Sequence, residues 1–117
     1  MTPVKENSTN QANKQMMEEA CPVNYTLEKI GGRWKPKILY HLQSTTLRYG
    51  QLRRCIPGIT EKMLVQQLRE LETDGLVHRE TKPVVPPHVE YSLTALGESL
   101  SPLLNEMALW GLKNAKR

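Results

Sequence analysis

Residues 60–96 read TEKMLVQQLRELETDGLVHRETKPVVPPHVEYSLTAL, and this stretch decides the fold. Leu64, Leu68 and Leu71 fall at i, i+4 and i+7, so one stripe of a helix faces a core. The opposite side carries Lys62, Gln66, Arg69 and Thr73, polar side chains long enough to reach beyond the surface. Asp74-Gly75 stops that helix where a left-handed residue is wanted. Val77 to Thr81 and Val89 to Leu93 then have the β-branched and aromatic content of paired strands around a proline-rich turn. Thr94 opens a fresh helix.

Upstream, Pro22 suits the first turn of a helix in which Val23, Leu27 and Ile30 repeat at i, i+4 and i+7. Gly31-Gly32 ends it. A second helix is expected from about Trp34 to Gln43, with Trp34, Ile38, Leu39 and Leu42 inward and Pro36 tolerated in its first turn. Leu47-Arg48-Tyr49 reads as a brief strand, and Gly50 to Ile56 as a short third helix closed by Pro57-Gly58. Thr60 is a natural N-cap for the next, longer helix, about Thr60 to Thr73. Short helix, tight turn and longer amphipathic helix is the helix-turn-helix order, and the hairpin about Val77 to Leu93 supplies a wing.

The C-terminal helix shows Leu96, Leu100, Leu103, Met107 and Trp110 as one stripe, with Leu104, Ala108 and Leu112 beside it. Together they are wider than a small domain can bury, so a partner helix is expected, most simply that of a second copy. Pro102 should bend or break the helix.

The chain has 117 residues, enough for one small core, and a net charge of +4 that does not by itself imply nucleic acid. The charge distribution says more. Lys29, Arg33, Lys35, Lys37, Arg48, Arg53 and Arg54 lie in a segment without one acidic residue, an electrostatic footprint for a phosphate backbone. Residues 1–19 read as a mobile polar arm and residues 20–117 as the folded domain. No apolar run has the length of a signal peptide or a membrane span, which implies a cytoplasmic location with Cys21 and Cys55 as thiols.

The segments Cys21-Pro22-Val23, Ile30-Gly31-Gly32-Arg33-Trp34, Arg48-Tyr49, Pro57-Gly58-Ile59-Thr60, Lys62-Met63-Leu64, Leu68-Arg69-Glu70-Leu71, Asp74-Gly75-Leu76-Val77 and Val89-Glu90-Tyr91-Ser92-Leu93-Thr94 resemble the HxlR-type, MarR-like winged-helix transcriptional regulators, in order from Cys21 to about Gly111. Arg33 stands where that family usually has Lys, and Tyr49 where Phe is usual. The resemblance implies a mainly α fold with a small β-hairpin, a winged helix-turn-helix with terminal dimerisation helices. It also implies a homodimer on a pseudo-palindromic operator in double-stranded DNA, with the recognition helix in the major groove. In some relatives the Cys of the Cys-Pro-Val segment senses oxidants or electrophiles.

On that reading Lys62 and Gln66 face bases or phosphates, Gln to adenine and Lys to guanine being natural pairings. Met63 and Gln67 point sideways toward a thymine methyl or a sugar, and Thr60 caps the helix beside the groove. Arg69 either contacts DNA or pairs with Glu70 or Glu72. Arg48, Arg53, Arg54, Arg79, Lys82 and His88 form the backbone-facing set, the wing reaching the minor-groove edge. Leu100, Leu103, Leu104, Met107, Ala108, Trp110 and Leu112 are the expected dimer interface. Cys21 opens a helix beside a cationic segment, which favours its thiolate, against the ordinary fate of a lone Cys as a small buried hydrophobe. Joining Cys21 of one chain to Cys55 of the other is the elaborate form of such a switch, and modification of Cys21 alone is the cautious one.

Other classes fare worse. There is no Ser/His/Asp or Cys/His order, no carboxylate pair and no phosphate-cradling Gly-rich loop, so no enzyme and no cofactor are expected. His41, His78 and His88 are isolated, so no metal is expected. The competing readings are a non-specific architectural or RNA-binding module, a small-ligand-sensing regulator with no redox role, and an interaction domain without DNA affinity. A further alternative is an aromatic ligand pocket at the dimer interface.

Overall fold

The computed structural model describes residues 21–116, so the expected arm over residues 1–19 lies outside the described residues. The chain divides into two compact units, one ending at Gly31 and the other beginning at Gly32. The described part of the first is helix α1, Pro22–Ile30, with Pro22 in its first turn and Cys21 as an extended N-cap. Gly31 ends it, donating its N–H to the Leu27 carbonyl at 2.7 Å. Its apolar stripe behaves differently from expectation: Ile30 is buried, whereas Val23 and Leu27 are 61% and 58% exposed. Periodicity reports that a helix has an apolar face, not that its own chain covers it.

The second unit starts with α2, Lys35–His41, whose Pro36 sits in the first turn where no helical N–H is needed. Ile38, Leu39 and Leu42 are fully buried, as their spacing predicts. Strand β1, Thr46–Arg48, begins and ends one residue earlier than expected, its end set by Tyr49, which opens α3, Tyr49–Cys55. Gln51 Oε1 accepts the Arg48 N–H at 2.8 Å across that junction. The Pro57-Gly58 turn, with Gly58 at φ +88°, leads into α4, Glu61–Thr73. Thr60 caps α4, its hydroxyl accepting the Met63 N–H at 3.1 Å. Gly75 takes the positive φ of +76° that the helix stop requires.

Strands β2, Val77–Lys82, and β3, His88–Leu93, form the expected hairpin. The hairpin is not alone: β1 adds to its free edge, giving an antiparallel sheet of order β1-β3-β2 with Leu47 opposite Tyr91 and Arg48 opposite Glu90. Alternation then separates two faces. Val77, Arg79, Leu93, Tyr91 and Leu47 share one, and His78, Glu80, Lys82, Ser92, Glu90, His88 and Arg48 share the other. The core draws on every layer, with Ile38, Leu39, Leu52, Ile56, Leu64, Leu71 and Val77 almost wholly inaccessible.

Thr94 ties the end of α4 to the next helix, donating to the Gly75 carbonyl at 2.6 Å and accepting the Gly97 N–H at 3.0 Å. A Cβ on Gly97 would press into the Leu76 carbonyl, so only glycine permits this approach. The C-terminal helix is two helices, α5, Ala95–Glu98, and α6, Ser101–Asn114. Pro102 explains the break: it has no N–H for the Glu98 carbonyl four residues back, and its ring would crowd that carbonyl. The break expected from Pro102 is therefore present, and it interrupts the stripe from Leu96 to Trp110 at Ser99-Leu100.

Burial corrects the expected dimer face as well. α6 packs on α2 of the same chain, and Leu104 is only 2% exposed there. It is a core residue, unavailable to a partner. Leu100 and Ala108 are half-buried, while Leu103, Met107, Trp110 and Leu112 remain exposed.

Candidate nucleic-acid interface

α4 is the candidate for the site because its two sides have opposite surroundings. Leu64, Leu68 and Leu71 are held in the core, which fixes the rotation of the helix and turns Lys62, Gln66 and Arg69 to solvent. Lys62 and Arg69 form no ion pair among the described residues, so of the two alternatives for Arg69 the pairing with Glu70 or Glu72 is not made. Met63 and Gln67 are half-buried at the side and engage each other, Gln67 Nε2 lying 3.5 Å from Met63 Sδ. Thr60 is exposed beside them, its hydroxyl committed to the cap.

The first turn of α4 is anchored from α3. The Tyr49 hydroxyl donates to the Glu61 carbonyl at 3.3 Å, and burial, then the nearby Glu61 carboxylate, pushes the Tyr49 phenol above its ordinary range. Tyr49 thus keeps its proton, and its hydrogen bond, throughout the physiological range. Arg53 and Arg54 project exposed from the same short helix, without ion-pair partners among the described residues.

The basic segment is less uniform than its charge suggests. Lys35 is buried, only 8% exposed, and is paired with Glu70 at 2.6 Å. It is a structural ion pair and not part of a surface footprint. Arg33 and Lys37 both lie over the Trp34 ring, at 4.7 and 5.0 Å from its centre. The Lys35 contact, followed by a hydrogen bond from Gln66, holds the Glu70 carboxyl below its ordinary range.

The wing also departs from a simple cationic arm. Lys82 Nζ lies 3.3 Å from Glu80, and His88 Nε2 lies 2.7 Å from Glu90. His88 is half-buried and engaged with that carboxylate, which it lowers below the usual glutamate range. Two of the three wing positions expected to face the DNA backbone, Lys82 and His88, are thus each accompanied by an acid on the same sheet face. Arg79 differs: it occupies the opposite face and, with Arg69, Glu72 and Tyr91, lines a cleft of about 370 Å³ between α4 and the sheet. Sequence spacing could not pair Arg69 with Arg79, because the turn at Gly75 and the register of β2 bring them together.

Cys21 and Cys55 are free, half-buried thiols, the first at the N-cap position of α1 and the second ending α3. Among the described residues no group of three or more His, Cys, Asp or Glu could hold a metal, and no helix is long and apolar enough to cross a membrane.

With a capped amphipathic helix, a hairpin and a third strand in place, the family model of the HxlR-like helix-turn-helix matches residues 29–117. The chain belongs to the HxlR-like helix-turn-helix family. It is 50% identical over 97 residues to the uncharacterized HTH-type transcriptional regulator YybR of Bacillus subtilis (strain 168), spanning 83% of this chain and 78% of that one. Among solved structures, the redox regulator HypR in its oxidized form superposes with a TM-score of 0.79 at 49% identity, covering 83% of this chain and all of that one. HypR in its reduced form gives a TM-score of 0.76 at 50% identity, over 80% of this chain and 93% of that one. This HxlR-like chain is a transcriptional regulator of the helix-turn-helix type, and the relatives it matches are regulators rather than enzymes.

Proposed function

We propose that the protein is a homodimeric, sequence-specific DNA-binding regulator that lays α4 in the major groove and its β2–β3 wing along the adjacent backbone and minor-groove edge. The observation that carries this reading is the division of α4. Leu64, Leu68 and Leu71 lock one side into the core, and Lys62, Gln66 and Arg69 stand exposed on the other, with no counter-ion on either cation among the described residues. A polar face of that kind at the second helix of a helix-turn-helix matches the depth and the donor and acceptor code of the major groove. The exposed Leu103, Met107, Trp110 and Leu112 on α6 support association of two copies, which a palindromic operator requires. The test is enrichment of binding sites from a randomised duplex library, followed by comparison of the selected palindrome with one whose half-sites are scrambled. Loss of affinity on scrambling supports specific reading by a dimer. Equal binding to both supports an architectural module instead.

Control by thiol chemistry is the second element of the proposal. It is supported by about 50% identity to HypR, a redox regulator solved in oxidized and reduced forms, and by the two free thiols here. Cys21 is the candidate sensor, through its place at the N-terminus of α1. Operator binding by wild type and Cys21→Ser after diamide or a quinone tests it. Equal loss in both proteins, or no change in either, removes Cys21 from the switch.

A further inference from the structure

The reading helix contains a hydrogen-bond chain that begins on a different helix. Lys35 Nζ of α2 contacts Glu70 Oε1 at 2.6 Å, and Gln66 Nε2 donates to Glu70 Oε2 at 3.2 Å. Each carboxylate oxygen therefore has one partner. Lys35 is 8% exposed and sits at the foot of α2, so the chain is rooted in the core and ends at an exposed side chain. Gln66 and Glu70 are four residues apart on one helix, where side chains meet.

The direction of the Gln66 amide follows from elementary chemistry. A carboxylate only accepts hydrogen bonds, so an amide beside it must turn its nitrogen toward it and its oxygen away. One N–H is then occupied by Glu70, and the other N–H and Oε1 are left for the groove. One donor beside one acceptor is the complement of adenine, which shows N7 as acceptor and its N6 amino group as donor. Guanine shows two acceptors there, O6 and N7, and the outward amide oxygen would face one of them.

We propose that Glu70, held by Lys35, is a positioning residue that fixes the Gln66 amide in the orientation that selects adenine. This rests on the reading of α4 as the groove helix. Glu70 makes no contact with DNA in this scheme; it decides which way its neighbour faces.

Glu70→Gln tests the idea almost without change of shape. The replacement amide must give its oxygen to the Lys35 ammonium, which leaves its NH₂ facing position 66. Gln66 must then answer with Oε1, which turns its nitrogen to the groove and exchanges the adenine pattern for one suited to guanine. Sites are selected from a randomised duplex library with wild type, Gln66→Ala and Glu70→Gln. Wild type should favour adenine at one position per half-site by roughly 5- to 150-fold. Gln66→Ala should flatten that position, and Glu70→Gln should move it toward guanine. Retention of the adenine preference by Glu70→Gln, at a position that Gln66→Ala flattens, overturns the proposal while leaving the groove reading intact. No change in any position with Gln66→Ala removes the groove reading and this proposal with it. A purely structural ion pair would lower the melting temperature of Glu70→Gln without moving base preference. A readout on the unaltered protein is 7-deazaadenine at the selected position, which removes N7: affinity should fall several-fold, and unchanged affinity also refutes the scheme.

Discussion

Leu104 and Trp110 lie less than two turns apart on α6 and should fail in different ways when truncated. Leu104 is 2% exposed within one chain. Leu104→Ala removes three carbons from a packed site, about 2.4 kcal/mol of transfer energy at ~0.8 kcal/mol per carbon. The cavity left behind raises this to about 3 kcal/mol, inside the range of 2–5 for such truncations. For a domain of this size each kcal/mol is worth roughly 4–8 °C, so the melting temperature should fall by about 12–24 °C. Trp110 is 71% exposed, so its own chain covers less than a third of it. Truncating a fully buried Trp costs about 3–5 kcal/mol, and the covered fraction accounts for about 1 kcal/mol of that. In the proposed dimer a further ~2 kcal/mol per chain would come from the partner. The twofold doubles it to about 4 kcal/mol, near a thousandfold in the dimer Kd. Sedimentation across a concentration series, beside thermal melting at each concentration, separates the two terms. Leu104→Ala should lower the melting temperature at every concentration. Trp110→Ala should shift the monomer–dimer midpoint and remove the concentration dependence of melting. A Trp110→Ala protein that associates like wild type would refute the assignment of this face to the dimer, and a Leu104→Ala protein of unchanged stability would refute its place in the core.

Gly97→Ala should destabilise the chain by about 1–3 kcal/mol in denaturant titration, because the added methyl meets the Leu76 carbonyl backbone. Arg79→Gln should weaken cognate and random duplex alike and flatten the salt slope by about 1, whereas Lys82→Gln, with Glu80 3.3 Å away, should flatten it by less. Equal slopes for the two variants would show that the acid beside Lys82 does not matter. The hydrogen bond from His88 lowers the Glu90 carboxyl, so this contact stabilises above the ordinary glutamate range and is lost as pH falls through the lowered value. Melting temperature against pH should accordingly be flatter on the acid side for Glu90→Gln than for wild type.

The amino-acid sequence alone determined the elements whose causes are local. A leucine stripe at helical spacing, Thr60 as a cap, Gly75 as a stop and two β-branched runs around prolines each act within a few residues, and α4 and the wing stand where they predict. The break before α6 was legible too, since a proline removes a donor wherever it falls. Tertiary structure decided what those elements touch. β1 became the third strand only by reaching Tyr91, forty-odd residues away. Leu104 and Met107 lie on neighbouring apolar stripes that the sequence assigned alike to a dimer face, yet packing against α2 puts one in the core and leaves the other on the surface. Charge was the least legible property. Lys35 and Lys62 are the same residue type, and only the fold gives Lys35 a burial site and the Glu70 carboxylate, while Lys62 is left in water. Periodicity records which side of a helix is apolar. The cost of burying a charge depends on partners that the chain brings together only when it folds.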